Sequence, residues 1–248
     1  MTLSAYELER YDRQIRIPDF GLEGQIRLKN SKVAVVGIGG LGCLASIYLA
    51  AAGVGKLILI DKERFELNNL NRQILGYPSD LGKLKVEVAK IKLEEFNPNV
   101  EVEALPVELS EKNIADTIGH VDVVVDCLDN WRTRFLINDY CVSENICFVH
   151  AAVSELYGQI TTIMPRKGPC LRCVLYRIPT VETEVIPILG AVPATLASLE
   201  VLETIKLLTG IGEPLVGRML FIDLRRMSFD TIQLSRRNDC PTCSGTTA

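Results

Sequence analysis

Apolar positions in the first 150 residues come in short runs separated by longer, mixed segments. The runs at 33–36, 57–60, 100–104, 121–125 and 147–150 read as strands. The segments 41–52, 83–95, 111–118 and 131–143 read as helices, the second capped by Ser79 or Asp80. Such alternation predicts an α/β fold, a doubly wound and largely parallel sheet. Beyond residue 150 the pattern changes. Runs at 158–164, 217–222 and 229–234 read as strands and 194–208 as a long buried helix, which predicts an antiparallel continuation. Between them, 176–190 carries Pro179, Glu182, Glu184 and Pro187 with no period and reads as a long loop.

The 248 residues suffice for one large α/β domain, burying roughly three-quarters of its unfolded surface. The expected organisation is one unit, 1–248, with an N-terminal helical arm (1–30), a nucleotide-binding half (31–150) and a second half (151–248). A net charge of -4 gives no basis for non-specific nucleic-acid binding, which needs a basic surface. The N-terminus, with Glu7, Glu9, Arg10, Asp12 and Arg13, lacks the apolar core of a signal peptide, so a cytoplasmic location is expected. The uncharged stretch 33–55 is 23 residues long, enough to span a bilayer, but it holds six glycines. Four of these sit in a strand-to-helix turn that would expose backbone to lipid, so no membrane span is expected.

That turn, Gly37-Ile38-Gly39-Gly40-Leu41-Gly42, is the first chemical signal. Glycines 37, 39 and 42 match the G-x-G-x-x-G fingerprint of a Rossmann-like fold, in which missing side chains let backbone N–H groups approach a phosphate. Asp61 lies 19 residues beyond Gly42 at the end of the next run, where a carboxylate can accept from ribose hydroxyls. NAD, FAD and adenylating enzymes share this pattern, and a bare structural turn would also produce it. Arg72, in Asn68-Asn69-Leu70-Asn71-Arg72-Gln73, and Lys85 on the next helix supply cations. Seven cations and five acids occupy 61–92, so this is no generic basic patch, and the alternative is a solvated surface. A triphosphate brings more charge than a dinucleotide, and expelling pyrophosphate calls for cations aimed at the departing oxygens. In Asp126-Cys127-Leu128-Asp129-Asn130 one carboxylate can reach the nucleotide, with magnesium ligation as its role. Gly37, Asp61 and 126–130 all fall beyond the carboxyl ends of predicted strands, where such sheets bind ligands. The chain has two histidines, His120 and His150, which leaves little for a histidine base. Adenylation of a carboxylate needs none, because the nucleophile is already ionised at neutral pH.

Cys170-Leu-Arg-Cys173 and Cys240-Pro-Thr-Cys243 form two C-x-x-C knuckles with 66 residues between them. Four thiolates on two turns suit tetrahedral, structural Zn2+ with no open position for catalysis. Dithiol redox centres and disulfides are the rivals, disfavoured in a cytosolic chain. Cys43, Cys127, Cys141 and Cys147 fall in or beside predicted elements and read as small buried hydrophobes; only Cys127, beside the predicted site, invites a catalytic reading.

An ordered set of motifs resembles the MoeB/ThiF/HesA family, bacterial and archaeal relatives of ubiquitin-activating enzymes, and is nearest to the MoeB type. The likeness runs through Arg10-Tyr11-Asp12-Arg13-Gln14-Ile15, the Gly37 to Gly42 turn, Asn69-Leu70-Asn71-Arg72-Gln73, Gly82-Lys83-Leu84-Lys85-Val86-Glu87, Asp126-Cys127-Leu128-Asp129-Asn130 and both knuckles. The resemblance implies adenylation of the C-terminal glycine of a small ubiquitin-like sulfur-carrier protein ending in Gly-Gly, with release of pyrophosphate. It places ATP and Mg2+ on Gly40, Asp61, Asn69, Arg72, Lys85, Asp129 and Asn130, beside the glycines 37, 39 and 42. Asp61 takes the ribose, Arg72 and Lys85 the phosphates and Asp129 the metal. Arg13 matches an arginine given to the neighbouring subunit's phosphates, which implies a homodimer; its plain reading is a surface charge. The half 151–248 is then the carrier-binding half.

Many relatives carry a cysteine in the loop corresponding to 176–190, but this sequence has none between Cys173 and Cys240. A thioester on that loop is therefore excluded. The expected product is the acyl-adenylate, passed to a separate sulfurtransferase or acceptor; no rhodanese-like extension is expected after Ala248. The pathway served, whether molybdopterin, thiamine or tRNA thiolation, is open. Alternatives are a catalytically idle binding subunit and adenylation of a peptide C-terminus. A nicotinamide-dependent dehydrogenase would use the glycine turn and Asp61 but leave Arg72, Lys85 and the four cysteines without a role.

Overall fold

The computed structural model describes residues 2–175 and 186–244. In chain order its helices are α1 (Ala5–Arg10), α2 (Asp12–Ile15), α3 (Gly21–Asn30), α4 (Gly40–Ala52), α5 (Lys85–Phe96), α6 (Ile114–Ile118), α7 (Trp131–Ser143), α8 (Leu171–Val174) and α9 (Ala191–Thr209). The strands are β1 (Lys32–Val36), β2 (Lys56–Ile60), β3 (Glu101–Leu105), β4 (Val123–Asp126), β5 (Cys147–Ser154), β6 (Tyr157–Ile163), β7 (Arg218–Asp223) and β8 (Ser228–Gln233). They form one sheet in the order β3, β2, β1, β4, β5, β6, β7, β8. The pairs from β3 to β5 are parallel and those from β5 to β8 antiparallel, as the change of pattern near residue 150 predicts.

Residues 33–36 of β1, 57–60 of β2 and 123–125 of β4 carry no polar break because both faces of the sheet centre are covered. Successive side chains point to opposite faces, and this sorts them into two cores. Val33, Val35, Leu57, Leu59, Val123 and Val125 pack with apolar residues of α4, α5 and α9. Ala34, Val36, Ile58, Ile60 and Val124 pack with α6 and α7. Each fully buried Val, Leu or Ile contributes about 1.5–3 kcal/mol, so the two-sided burial of β1, β2 and β4 is what holds the sheet centre in place.

Several boundaries differ from the sequence expectation for identifiable reasons. α5 begins at Lys85, two residues later than expected, with Leu84 as its N-cap and no side-chain cap. Ser79 and Asp80 instead belong to a 3-10 turn, Pro78–Asp80, where the Asp80 carboxylate accepts from Tyr77 N and from Lys83 and Lys92. Only Ile114–Ile118 of the expected helix 111–118 forms, because Asn113 Oδ1 accepts from Ser110 N at 2.7 Å and closes a turn ahead of it. β5 runs on to Ser154 and pairs with β6 in a hairpin, so the antiparallel half starts inside this strand. Of the expected loop 176–190, residues 176–185 lie outside the described residues. Among the described residues no helix is long and apolar enough to cross a membrane.

The turn from β1 into α4 is where backbone meets backbone. Gly37 has φ +91°, and a Cβ there would sit 2.6 Å from the Cys127 carbonyl oxygen. A Cβ on Gly42 would overlap the Gly37 carbonyl oxygen. Gly82, by contrast, has φ +81° with open space around it. Gly42→Ala is therefore expected to destabilise the fold by about 2–3 kcal/mol through overpacking, lowering Tm by roughly 4–10 °C. Gly82→Ala, opposed only by its left-handed backbone, should lose about 1–2 kcal/mol. Thermal melts of the two variants check the order; Gly42→Ala melting at or above Gly82→Ala would contradict the close approach.

Candidate active site

β1 and β4 end side by side, with Val36 opposite Asp126, and the chain then leaves toward opposite faces, into α4 from β1 and α7 from β4. Strand order reverses at β1, and such a switch point opens a crevice beyond the carboxyl ends of the strands. Four of the expected elements converge there. The first is the glycine turn, which delivers the N-terminus of α4; Gly39 is its N-cap, no side chain caps it, and its first turn holds no acidic residue. Unpaired N–H groups and the positive end of the helix dipole thus face the crevice.

Asp61, directly after β2, is the second. One carboxylate oxygen accepts from Ile38 N and the other from Glu63 N, each at 2.7 Å, which ties β2 to the glycine turn. Burial holds its pKa above the ordinary carboxylate value, opposed by those two N–H groups and by the charge of Lys85. Lys85 is the third. It opens α5, is 2% exposed, and its Nζ lies 2.6 Å from Glu63 Oε2. Arg72 is the fourth, held by Nη1 bonds to the Asn68 carbonyl (2.8 Å) and Asn71 Oδ1 (3.0 Å). Its Cγ lies 3.3 Å from where a Gly40 side chain would begin, so a glycine at 40 leaves room for the arginine.

Asn69 is buried in the 3-10 turn Leu67–Asn69, accepting from Glu66 N at 3.0 Å, and its carbonyl receives Arg72 N at 3.1 Å. Asp129 is exposed in the turn after β4, and Asn130 caps α7 by accepting from Thr133 N at 2.9 Å. Arg13 is not brought to this crevice in its own chain. It is exposed on α2, whose neighbouring Gln14 binds the Ala52 carbonyl at the far end of α4. A helix of that length separates the two ends by about 20 Å.

Gln73, Arg134 and Glu200, near the crevice, were given no role by sequence reasoning. Gln73 is 3% exposed, with Nε2 3.8 Å from the position of a Gly39 side chain and a buried, unpartnered Oε1. Behind the turn after β4 lies a buried charged cluster. Asp126 binds His150 Nδ1 at 2.6 Å and faces Arg134 Nε at 3.4 Å. Burial drives the His150 pKa down in spite of Asp126. Burial and the Asp126 charge push Glu200 well above the usual carboxylate range. Glu200 interrupts the apolar run read as a long buried helix, and that interruption was the available signal. Cys127 is fully buried with its thiol 3.8 Å from Glu200, and burial raises its pKa far above a thiol's ordinary value. Burial and a raised pKa both disfavour the thiolate form that a nucleophile needs. Cys43, pushed up to about 12 by burial, and Cys141 are likewise buried, while Cys147 is half-buried.

The four knuckle cysteines meet. Their sulfurs lie within 4.8 Å of one another, with 3.5 Å between Cys170 and Cys240 and 3.4 Å between Cys173 and Cys243. A tetrahedral ZnS4 centre with Zn–S near 2.3 Å needs sulfurs about 3.8 Å apart, whereas a disulfide needs about 2.05 Å. The cluster could hold a zinc ion. Burial raises the Cys240 thiol, but backbone N–H groups of Cys243 and Thr242 outweigh it and draw the pKa down to about 7, favouring a thiolate ligand. Both knuckles are anchored to α7: Asn138 Oδ1 accepts from Leu171 N, and Asp139 binds Arg172 and the Thr242 hydroxyl.

The family profile described as ThiF family matches residues 11–242. The chain belongs to the ThiF family. This ThiF-family chain is 41% identical to the SAMP-activating enzyme E1 of Haloferax volcanii, over 98% of its own length and 91% of that protein's. It is 42% identical to the adenylyltransferase and sulfurtransferase MOCS3 of Drosophila ananassae, over 98% of its own length and 55% of that longer protein. Among solved structures, E. coli MccB with ATP superposes with a TM-score of 0.85 at 26% identity, covering 97% of this chain and 75% of that one. The resemblance read from the motifs is thus borne out.

Metal analysis of freshly purified protein is expected to find about one zinc per chain, held by four thiolates. Cys173→Ala should lose the metal and lower Tm. Metal-free wild type would remove the zinc assignment.

Proposed function

We propose that this ThiF-family protein is an ATP-dependent adenylyltransferase that activates the C-terminal glycine carboxylate of a small ubiquitin-like sulfur-carrier protein ending in Gly-Gly. The observation that carries this reading is the meeting of the glycine turn with both Lys85 and Arg72 at one crevice, more positive charge than a dinucleotide requires. Relatives named as a SAMP-activating enzyme and as an adenylyltransferase support it.

In this reading Asp61 accepts the ribose hydroxyls, and Gly37, Gly39, Gly40 and Gly42 let the phosphates approach the N-terminus of α4. Asn69 and Asn130 add polar contacts, and Arg72 and Lys85 meet the β- and γ-phosphates. Asp129, exposed beside the crevice, is the carboxylate suited to Mg2+, which would neutralise phosphate charge. The carrier's carboxylate is ionised at neutral pH and needs no base. One of its oxygens forms a bond to the α-phosphorus while the bond from that phosphorus to the bridging oxygen breaks. The electron pair leaves with pyrophosphate, and no proton moves. His150, buried on Asp126, is accordingly free of any catalytic duty.

Residues 1–248 act as one adenylation unit in this scheme. A two-fold partner brings its own copy of Arg13 to each site, which accounts for the distance of Arg13 from the crevice of its own chain. The half 151–248, edged by the exposed strand β8, receives the carrier. Zinc pins the segment around Cys240 to the knuckle at Cys170. With no cysteine between Cys173 and Cys240 to take the acyl group, the acyl-adenylate passes to a separate sulfurtransferase or acceptor.

ATP–pyrophosphate exchange with a panel of Gly-Gly carriers tests the proposal. Exchange dependent on one carrier is expected, and Arg72→Ala should slow it by about 10²-fold or more. ATP binding without exchange on any carrier would point instead to an idle binding subunit or a peptide substrate.

A further inference from the structure

Asp129 is exposed and its side chain has no partner among the described residues, so its position rests on the backbone of its turn. That backbone is fixed at the residue before it. Leu128 N donates to Asp126 Oδ1 at 3.1 Å, and the Leu128 carbonyl accepts from Arg134 Nη2. Both polar groups of one peptide residue are thus held by two charged side chains, one 0% and the other 4% exposed. The two charges also hold each other, with Arg134 Nε 3.4 Å from Asp126 Oδ2. Arg134 is fixed further by the Ala151 carbonyl at 3.1 Å and by the Trp131 ring, 4.9 Å from its guanidinium carbon. Asp126 is fixed by His150. Asp126 ends β4 and Arg134 lies in the first turn of α7, so the ion pair closes the loop 127–130 from beneath.

We infer that Arg134 is a positioning residue. Locked by Asp126, it clamps the Leu128 peptide and thereby aims Asp129 at the metal–nucleotide complex; this rests on the adenylation reading. The geometry is specific to a guanidinium, because one planar group must reach the Leu128 carbonyl, the Ala151 carbonyl and Asp126 together. Partners one step behind a metal ligand typically set metal affinity by about 10–100-fold.

The test is Mn2+ binding, read from free Mn2+ by electron paramagnetic resonance, in the presence of a non-hydrolysable ATP analogue. Arg134→Met is expected to weaken Mn2+ binding about 10-fold or more while metal-free binding of the analogue changes less than about twofold. Asp129→Asn is the reference and should abolish protein-dependent Mn2+ binding, leaving the free Mn2+ signal at its level with the analogue alone. If Asp129→Asn abolishes that binding and Arg134→Met leaves it unchanged, the clamp is wrong and the adenylation site stands. Equal loss of metal-free nucleotide binding in Arg134→Met also overturns the clamp, since a general collapse of the crevice would do that. If Asp129→Asn retains full Mn2+ binding, the metal assignment and the clamp both fall. Should Arg134→Met not fold, Asp126→Asn replaces it. That amide still accepts from Leu128 N but frees Arg134, so the same loss of Mn2+ affinity is expected, and unchanged affinity overturns the inference.

Discussion

The whole arrangement depends on one contact between backbones. Gly42 lies against the Gly37 carbonyl, and Gly37 lies against the Cys127 carbonyl, so the first turn of α4 is drawn down onto the ends of β1 and β4. Any side chain at these positions would lift the helix away, and with it the unpaired N–H groups that face the crevice. Asp61 reinforces the contact from the other side by holding Ile38 N. The three strand ends at the centre of the sheet are thereby fixed relative to one helix terminus. This is the geometry a chain of phosphates requires and a packed core does not.

The centre of the sheet was legible because β1, β2 and β4 are buried on both faces. A run such as Val33, Ala34, Val35 and Val36 admits few other interpretations when a Gly-rich turn follows it. The glycine turn and Asp61 were legible because they sit where β1 and β2 end, and Arg72 and Lys85 chiefly because they fall in motifs that carry the family resemblance. Helix starts were less so. Asp80 looked like a cap for α5, yet its carboxylate is held by Lys92 and Lys83 in a turn of its own, a pairing between residues 12 apart and 3 apart that no local pattern announces. The extension of β5 to Ser154 depended on a partner, β6, that the strand itself does not encode.

The buried charges were the least legible part. Asp126, Arg134, His150 and Glu200 come from two strands and two helices, and their meeting is a property of the tertiary fold alone. Removing such groups from water costs several kcal/mol each before pairing, so their retention behind the turn of Asp129 is a constraint the fold tolerates rather than one it exploits for stability. In sequence Asp126 and Asp129 look interchangeable. In space one is sealed beneath the loop and the other stands at its tip.

Lys85 shows what such a crevice does before any ligand arrives. Its ammonium is buried, yet its partner Glu63 has a side chain 58% exposed, so the resting charge is neutralised by a group that water can reclaim. An anion reaching Lys85 would have to enter by counterion exchange, replacing Glu63 while the displaced carboxylate regains its hydration. The net attraction would then be the difference between two ion pairs instead of the full pull of a bare cation. Such an exchange would retain weak anions such as chloride poorly and favour a polyanion that engages several donors at once. Selectivity of this kind would come from the occupant already in place.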